Sequence, residues 1–458
     1  MFNHFYFCLL FLLFTTKTTF SQTPTITNFT PVSGSVGSIV NIFGTNFNVN
    51  NTKVFLGGIK CQITYITSSQ ISLQIPSGAA NDYITVISDN LSAKSIVKYS
   101  VYYPNATGNI NSNTFPAVES FPCRQSSVAL IGDINLDGLN DVVTLGLSDS
   151  SVIINKNNGG QAPLSFTSKA FTTGKWPSNA SIYDMNCDGK LDIVTLDQAD
   201  NNFSILSNTS TSSSISFNAK TSFSTGFQGR EMTVDDFDLD GKPDVIVIAY
   251  NSSSNSKLIY YRNTSASATQ YSFLSTITTF LSAPFKIGSA DFNNDRKPEL
   301  IMVIGTTTKI YPNTSSNGSI TFGQEINLGN CNNFDVTDLN GDGKLDLCLV
   351  NEVGNVSKIY PYLNQSNNGT ISLNLASNFP INTIDLSRAI KFADLNGDNK
   401  TDLVVYSGDA YATLFQNTSV GTNLSFQCMD TLLINPGGSN NAAVHQLSIG
   451  DMDLDLRP

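Results

Sequence analysis

From residue 24 onward the chain is written in short runs of alternating apolar and polar residues, broken at regular intervals by Gly, Pro, Asn or Asp. Period-two alternation puts every second side chain on one face of an extended strand, so these runs predict half-buried β-strands rather than helices. In residues 24–103 the runs IVNIFG, KVFLGG, QISLQIP and DYITVIS predict the short strands of a β-sandwich. From residue 105 to 458 the runs come in sets of four. SVALIGD, DVVTLG, SVIINKN and PLSFTSKAF form one set, and MTVDD, DVIVIA, KLIYYRN and YSFLSTITTF another. Four short strands per repeat is the content of one propeller blade. One segment departs from alternation. Residues 5–14, FYFCLLFLLF, form an unbroken apolar run. It is too short to span a bilayer and suits the core of a signal peptide occupying residues 1–22. No later segment approaches the length of a membrane span, so the chain is expected to be secreted or displayed at the cell surface, with no transmembrane segment.

Seven acidic loops punctuate the sets: DINLDGLND, DMNCDGKLD, DFDLDGKPD, DFNNDRKPE, DLNGDGKLD, DLNGDNKTD and DMDLDLRP. Successive starts lie 51, 52, 55, 47, 56 and 57 residues apart, which predicts one loop per blade and seven blades. Side-chain oxygens at positions 1, 3 and 5, a backbone carbonyl at 7 and a carboxylate at 9 can wrap one Ca²⁺, a hard cation taking roughly six to eight oxygens. The predicted ligands in the first loop are Asp133, Asn135, Asp137, Leu139 and Asp141, and in the second Asp184, Asn186, Asp188, Lys190 and Asp192. The third offers Asp236, Asp238, Asp240, Lys242 and Asp244, and the fourth Asp291, Asn293, Asp295, Lys297 and Glu299. The fifth offers Asp338, Asn340, Asp342, Lys344 and Asp346, the sixth Asp394, Asn396, Asp398, Lys400 and Asp402, and the seventh Asp451, Asp453 and Asp455. Position 6 calls for a positive φ, which Gly138, Gly189, Gly241, Gly343 and Asn399 accept and Arg296 and Leu456 resist. The fourth and seventh loops are therefore expected to bind more weakly. An EF-hand would need Glu at position 12, where Thr144, Thr195 and Val247 stand, and helices instead of the β-runs that follow. The seventh loop reaches Arg457-Pro458 where an acidic ninth residue is expected, so the last blade is predicted to be truncated. Residues 114–122, TFPAVESFP, are predicted to supply its outer strand.

Two resemblances follow. Pro31-x-x-Gly34-x-x-Gly37, Phe43-Gly44-Thr45-Asn46-Phe47, Val54-Phe55-Leu56-Gly57-Gly58 and Ile75-Pro76-Ser77-Gly78 resemble the IPT/TIG immunoglobulin-like domain over residues 24–103. The D-x-[DN]-x-D-G-x-x-D-hydrophobic signature resembles the FG-GAP/VCBS-type repeats of integrin-α propellers and bacterial surface proteins. The FG and GAP tripeptides themselves are mostly missing, so the likeness is to the looser bacterial variety. Together they imply an all-β protein: an Ig-like β-sandwich, a spacer or interaction module, followed by a seven-bladed β-propeller with the last blade truncated (residues 105–458). They also imply Ca²⁺ in the hairpin loops, about one per complete blade and structural.

Composition narrows the function. With 25 basic against 36 acidic residues, no basic face for nucleic acid is expected. Of the acidic residues 22 lie in the seven loops, and the formal charge of −11 becomes −12 once Lys17 leaves with the export segment. Calcium in six loops would bring that to zero, and the metal-free chain is expected to be less stable. His4 and His445 are the only histidines, and no GxSxG or HExxH occurs, which argues against a triad hydrolase or a His-rich zinc enzyme. Cys61, Cys123, Cys187, Cys331, Cys348 and Cys428 are widely spaced and predict no particular bridge. Strand parity puts Trp176, Arg230, Phe285 and Arg388, in the loops that lead into the first strands, on the face opposite the acidic loops, with Asp197, Asp200, Tyr250, Glu352 and Asp409 in the loops between second and third strands. That mixture suits an extracellular glycan or protein ligand. The expected function is a calcium-stabilised adhesion or recognition protein rather than an enzyme. The alternative is a polysaccharide-acting lyase or hydrolase using a carboxylate pair such as Asp197 with Glu352. Sequons at Asn208, Asn313 and Asn417 are attributed to the Asn/Ser/Thr-rich composition.

Overall fold

The computed structural model describes residues 22–102, 110, 128–159, 164–252, 255–267, 269–280, 284–316, 318–354, 356–367, 369–377, 379–383, 387–407, 411–420, 423–433 and 447–454. The export segment, the strand expected at 114–122, and Asp409 and Asp455 lie outside these residues, as does the Arg388 side chain. Among the described residues every sheet-forming element is a strand, and no helix is long and apolar enough to cross a membrane.

Two sheets form the N-terminal sandwich. One orders Thr25–Thr30, Ile39–Thr45, Gln70–Gln74 and Gln62–Ile66 side by side. The other orders Ser33–Gly34, Leu91–Val101, Asp82–Ser88, Thr52–Leu56 and Ile59–Lys60. The predicted alternation holds: Val40 and Ile42 face Ile71 and Leu73 across the first sheet, all fully buried, with Val86 and Tyr99 closing the core from the second.

The repeat region folds as six successive antiparallel meanders, each paired in sequence order. Their first strands are Ala129–Gly132, Pro177–Tyr183, Gln228–Asp235, Pro284–Ala290, Asn333–Thr337 and Ser387–Ala393. The second strands begin at the ninth loop residue, as in Asp192–Asp197 and Asp244–Ser252. Asp192–Asp197 is buried at every position because neighbouring sheets cover both of its faces. This is why DIVTLD and DVIVIA read as unbroken rather than alternating runs. The cores accordingly lie between sheets: Val194, Leu196, Phe203 and Ile205 of the second pack against Met232, Val234, Val245 and Ile259 of the third. The fifth sheet carries an extra short strand, Ile381–Asn382, on its third strand.

Residues 447–454 lie between the sixth sheet and the first. Leu447 and Ile449 pack on Ala412 and Leu414, while Ser448 Oγ donates to the Ala129 carbonyl at 2.7 Å. Asn140 Nδ2 reaches the Asp451 carbonyl at 2.8 Å.

The sandwich sits on the acidic-loop end of the first three sheets, and also touches Leu454 of the seventh loop through Gly78 and the fourth-sheet core through Tyr83. Lys53 Nζ donates to the Asp188 carbonyl, Ser92 N to the Gly241 carbonyl at 2.9 Å, and Lys94 pairs with Asp235 at 2.9 Å. Phe55 and Ile87 of the sandwich bury Cys187 of the second loop, with Leu136 of the first alongside.

Candidate metal loops and the opposite face

Each of the first six acidic loops joins the first and second strands of its sheet, and backbone amides hold its carboxylates in a recurring pattern. In the first loop Asp133 accepts from the amides of Asp137 at 3.1 Å and Gly138 at 2.9 Å, and Asp137 accepts from Leu139 N at 3.0 Å. Asp141, at position 9, accepts from Ile134 N at 3.1 Å and from Asn157 N at 2.8 Å. The same bonds recur around Asp184, Asp188 and Asp192, around Asp338, Asp342 and Asp346, and around Asp394, Asp398 and Asp402. In the fourth loop Asp291 and Asp295 repeat the pattern, and Glu299 accepts from Phe292 N at 2.8 Å. In the seventh, Asp451 accepts from Leu454 N at 2.8 Å. At position 3, Asn135, Asn186, Asn293, Asn340 and Asn396 each accept the position-5 amide. The position-7 side chains leave the loop: Lys190, Lys242, Lys297, Lys344 and Lys400 each donate to the carbonyl of a serine beyond the third strand. Only the carbonyl of these residues is left to face a cation.

Burial gives these carboxylates an unusual affinity for protons. Burial first, and neighbouring carboxylates second, push Asp141, Asp346 and Asp402 up to about 7 and Glu299 to about 8, against the pull of the donated amides. Burial and the adjacent Asp188 raise Asp184 to about 7. A bound cation would relieve the same repulsion.

The third loop is the most cation-like in its geometry. Oxygens of Asp236, Asp238 and Asp244 lie within 4.8 Å of one another, and the buried Asp236 Oδ1 has no hydrogen-bond partner. An orphaned buried carboxylate oxygen is costly unless something positive completes it, so this donor set fits a hard cation. Arg262 neutralises part of the loop, with Nε 2.6 Å from Asp238 and Nη2 2.9 Å from Asp240. In the first loop Lys156 does the same for Asp137 at 2.8 Å.

Position 6 takes the left-handed conformation at Gly138, Gly189, Gly241, Gly343 and Asn399, and Arg296 is held there too at φ 75°. Position 4, which the nonapeptide spacing does not single out, takes it as well: Leu136, Cys187, Leu239, Asn294, Gly341, Gly397 and Leu454 all have positive φ. A second unrecognised element is an asparagine at the end of each third strand or two residues past it. Asn364 Nδ2 donates to the Phe292 carbonyl of the preceding sheet and to the Leu345 carbonyl of its own loop, both at 2.8 Å. Its Oδ1 accepts from Ser366 N at 2.8 Å. Asn208, Asn263, Asn313 and Asn417 repeat this clasp, and Asn157 extends it to the Met452 carbonyl at 2.7 Å. The sequons at Asn208, Asn313 and Asn417 are thus parts of this buried clasp and not a by-product of composition.

The opposite end of the sheets carries the residues expected on a ligand face, with three corrections. Arg230, Phe285 and Arg388 lie inside first strands rather than in the preceding loops. Each sits at a register shift, between Gly229 and Glu231, Pro284 and Lys286, and Ser387 and Ala389. A bulge leaves its extra residue unpaired and re-aims it. Tyr250 likewise belongs to a second strand, Asp244–Ser252. Asp197 is fully buried and accepts hydroxyl hydrogen bonds from Thr195 and Ser204, so it does not offer a free carboxylate to pair with Glu352. The Arg230 guanidinium lies 5.5 Å from the Tyr250 ring centre and 5.8 Å from that of Phe285. Trp176 is 59% exposed at φ 53°, and its carbonyl accepts from Gln198 N at 3.0 Å. Asp200 accepts from Lys175 N at 2.9 Å, which ties the turn 198–200 beside the Trp176 backbone. The five described cysteines are thiols, and Cys61, Cys187, Cys331 and Cys348 are buried.

Comparison with known proteins agrees with these repeats. The IPT/TIG domain model matches residues 24–105, and the FG-GAP-like repeat model matches 133–195, 184–247, 236–302, 291–349 and 338–405, together more than half of the chain. Fibrocystin-L of Mus musculus is 37% identical over 71 residues, and the chain spans only 2% of that relative's length. Among solved structures, an Agrocybe aegerita lectin that recognises non-reducing terminal N-acetylglucosamine is 15% identical. The match covers 84% of this chain and 92% of the lectin, at a TM-score of 0.46. A putative 6-phosphogluconolactonase from Bacteroides uniformis is 11% identical, with 84% and 97% covered, at a TM-score of 0.49. Likenesses this distant say nothing of what the chain binds. The loop-to-loop matches, each running from one acidic loop into the next, make the chain a member of the FG-GAP-like repeat family that carries an IPT/TIG domain at its N-terminal side.

Proposed function

We propose that the chain is an exported, calcium-stabilised recognition protein whose sheets form a seven-bladed ring. In that ring residues 447–454 stand as the first strand and loop of the seventh blade, and about one structural Ca²⁺ sits in each complete loop. The clasp from Asn157 to the Met452 carbonyl supports the blade count, because every other clasp joins consecutive blades at the equivalent position. The binding platform is the face away from the loops, and its ligand is an extracellular glycan or protein rather than nucleic acid.

One observation carries this reading. The Ig-like domain covers the loop end, while Trp176, just before the second sheet, stands exposed at the other end in a strained backbone conformation, the end where Arg230 of the third sheet meets two rings. Strain held in an exposed aromatic residue marks a site that the surrounding structure maintains for something other than packing. Binding of the full chain to glycan and protein arrays, with calcium and with chelator, tests it. Trp176→Ala is expected to abolish the selected signal while changing stability by less than about 0.5 kcal/mol. An unchanged array profile would overturn the platform, and degradation of a bound polysaccharide by the purified protein would replace it with the enzymatic alternative.

A further inference from the structure

The Ig-like domain and the third acidic loop share one turn. On the inner side of that turn Asp236, Asp238 and Asp244 converge, with the buried Asp236 Oδ1 unpartnered. On its outer side the carbonyls of Asp240 and Gly241, at positions 5 and 6, accept from the domain: Thr23 Oγ1 at 3.3 Å to the first, Ser92 N at 2.9 Å and Ser92 Oγ at 3.2 Å to the second. The fit is close, since a Cβ on Gly241 would stand 3.0 Å from Thr23 Cγ2 and 3.1 Å from Leu91 Cβ. Next to it Lys94 holds both oxygens of Asp235. The fifth loop has no such cover, with nothing within 4 Å of the corresponding position on Gly343.

We infer that the third loop is a calcium-linked joint. Resting on the calcium assignment above, the cation and the docked domain stabilise the same loop conformation, so each strengthens the other. The physical cause is shared ordering. With Leu239 at φ 58° and Gly241 at φ 86°, the turn aims the carboxylates inward and the carbonyls of positions 5 and 6 outward at once. Whichever partner binds first orders the turn, and the second then binds without that entropic cost. The coupling is reciprocal by linkage. Lys94, which comes with the docked domain, adds positive charge beside the site and opposes the cation, so the coupling sits near the low end of the usual range, about fivefold.

The test uses the full chain. Amide hydrogen exchange at residues 91–94 is followed in calcium and in chelator, alongside thermal melting. Calcium is expected to slow exchange there about fivefold. Asp236→Asn is expected to remove that response while the other loops still raise the melting temperature with calcium. In the reciprocal direction, Thr23→Ala combined with Ser92→Ala, which removes two domain-to-turn hydrogen bonds and no charge, is expected to weaken calcium binding at one site by a similar factor, read by competition with a chromophoric chelator. Exchange at 91–94 that ignores calcium while melting responds would overturn the joint and leave the calcium assignment standing. A response that persists in Asp236→Asn would overturn the joint in the same way. If calcium alters neither melting nor exchange, the calcium assignment falls and the joint with it.

Discussion

Replacing Asn364 by Ala should cost about 3 kcal/mol, taking about 1 kcal/mol for each of three hydrogen bonds lost. The side chain is 2% exposed and bridges the Phe292 carbonyl of the fourth sheet, the Leu345 carbonyl of the fifth loop and the Ser366 amide. Water cannot reach the vacated groups freely, so desolvation adds to the loss, and about 2 kcal/mol is the floor. Asn364→Asp is the sharper variant. It keeps the shape and the acceptor for Ser366 but turns a carboxylate oxygen toward two carbonyls, so it should destabilise at least as much. Asn158→Ala, in an exposed turn after the first blade's third strand, is the control and should stay within about 0.5 kcal/mol. Urea titration of the full chain measures all three, and a shifted midpoint with an unchanged slope isolates stability. A loss below about 2 kcal/mol for Asn364→Ala would refute the clasp as an element that joins neighbouring sheets.

Two further outcomes follow from the loops. Asp141, Asp346, Asp402 and Glu299 bind protons more tightly folded than unfolded, so without calcium their contribution is present near pH 4 and is lost as pH rises through about 7 to 8. In chelator the melting temperature should therefore fall between pH 5 and 8, and saturating calcium, which needs the ionised form, should abolish or reverse the fall. A rise in chelator over that range would contradict the raised proton affinity that burial gives these carboxylates. Arg296→Gly should stabilise the chain by about 1 kcal/mol by releasing the left-handed strain at φ 75°, measured by the same urea titration. A loss instead would show that the Arg296 side chain makes a stabilising contact of its own.

How much of this was legible in the sequence depended on whether the cause was local. Strand runs and acidic loops are local, since alternation and a nonapeptide spacing encode them directly, and both survive in the structure. The clasp is half local. Asn364 and Ser366 sit two residues apart, but the partner carbonyl of Phe292 is far away in the chain, and a composition rich in Asn and Ser hides the recurrence. The bulges at Arg230, Phe285 and Arg388 leave no periodic mark, because each falls within two residues of its strand's start and shifts parity over too short a stretch to show. Asp197 misled for a similar reason. It ends an apolar strand as a rim carboxylate would, but the hydroxyls of Thr195 and Ser204 draw it inside. The seating of the sandwich on the loops is wholly non-local and left no motif of its own.

It did leave a trace in the kind of residue tolerated at position 4. A branched or bulky side chain in the left-handed region costs on the order of 1 kcal/mol, so Gly or Asn is the natural choice there. The fourth, fifth and sixth loops make that choice with Asn294, Gly341 and Gly397. The first, second, third and seventh instead keep Leu136, Cys187, Leu239 and Leu454. Cys187 is buried by Phe55 and Ile87 of the sandwich, with Leu136 packed on the same cluster. Leu454 Cδ2 lies 3.1 Å from where a Cβ on Gly78 would stand. Burying an apolar side chain against the docked domain contributes more than the strain removes, and only a loop beneath that domain gains it. Strained apolar residues at position 4 of the first, second and seventh loops therefore mark where the Ig-like domain rests on the repeat sheets, and a chain of this family with Gly or Asn at those three sites should hold its N-terminal domain less firmly.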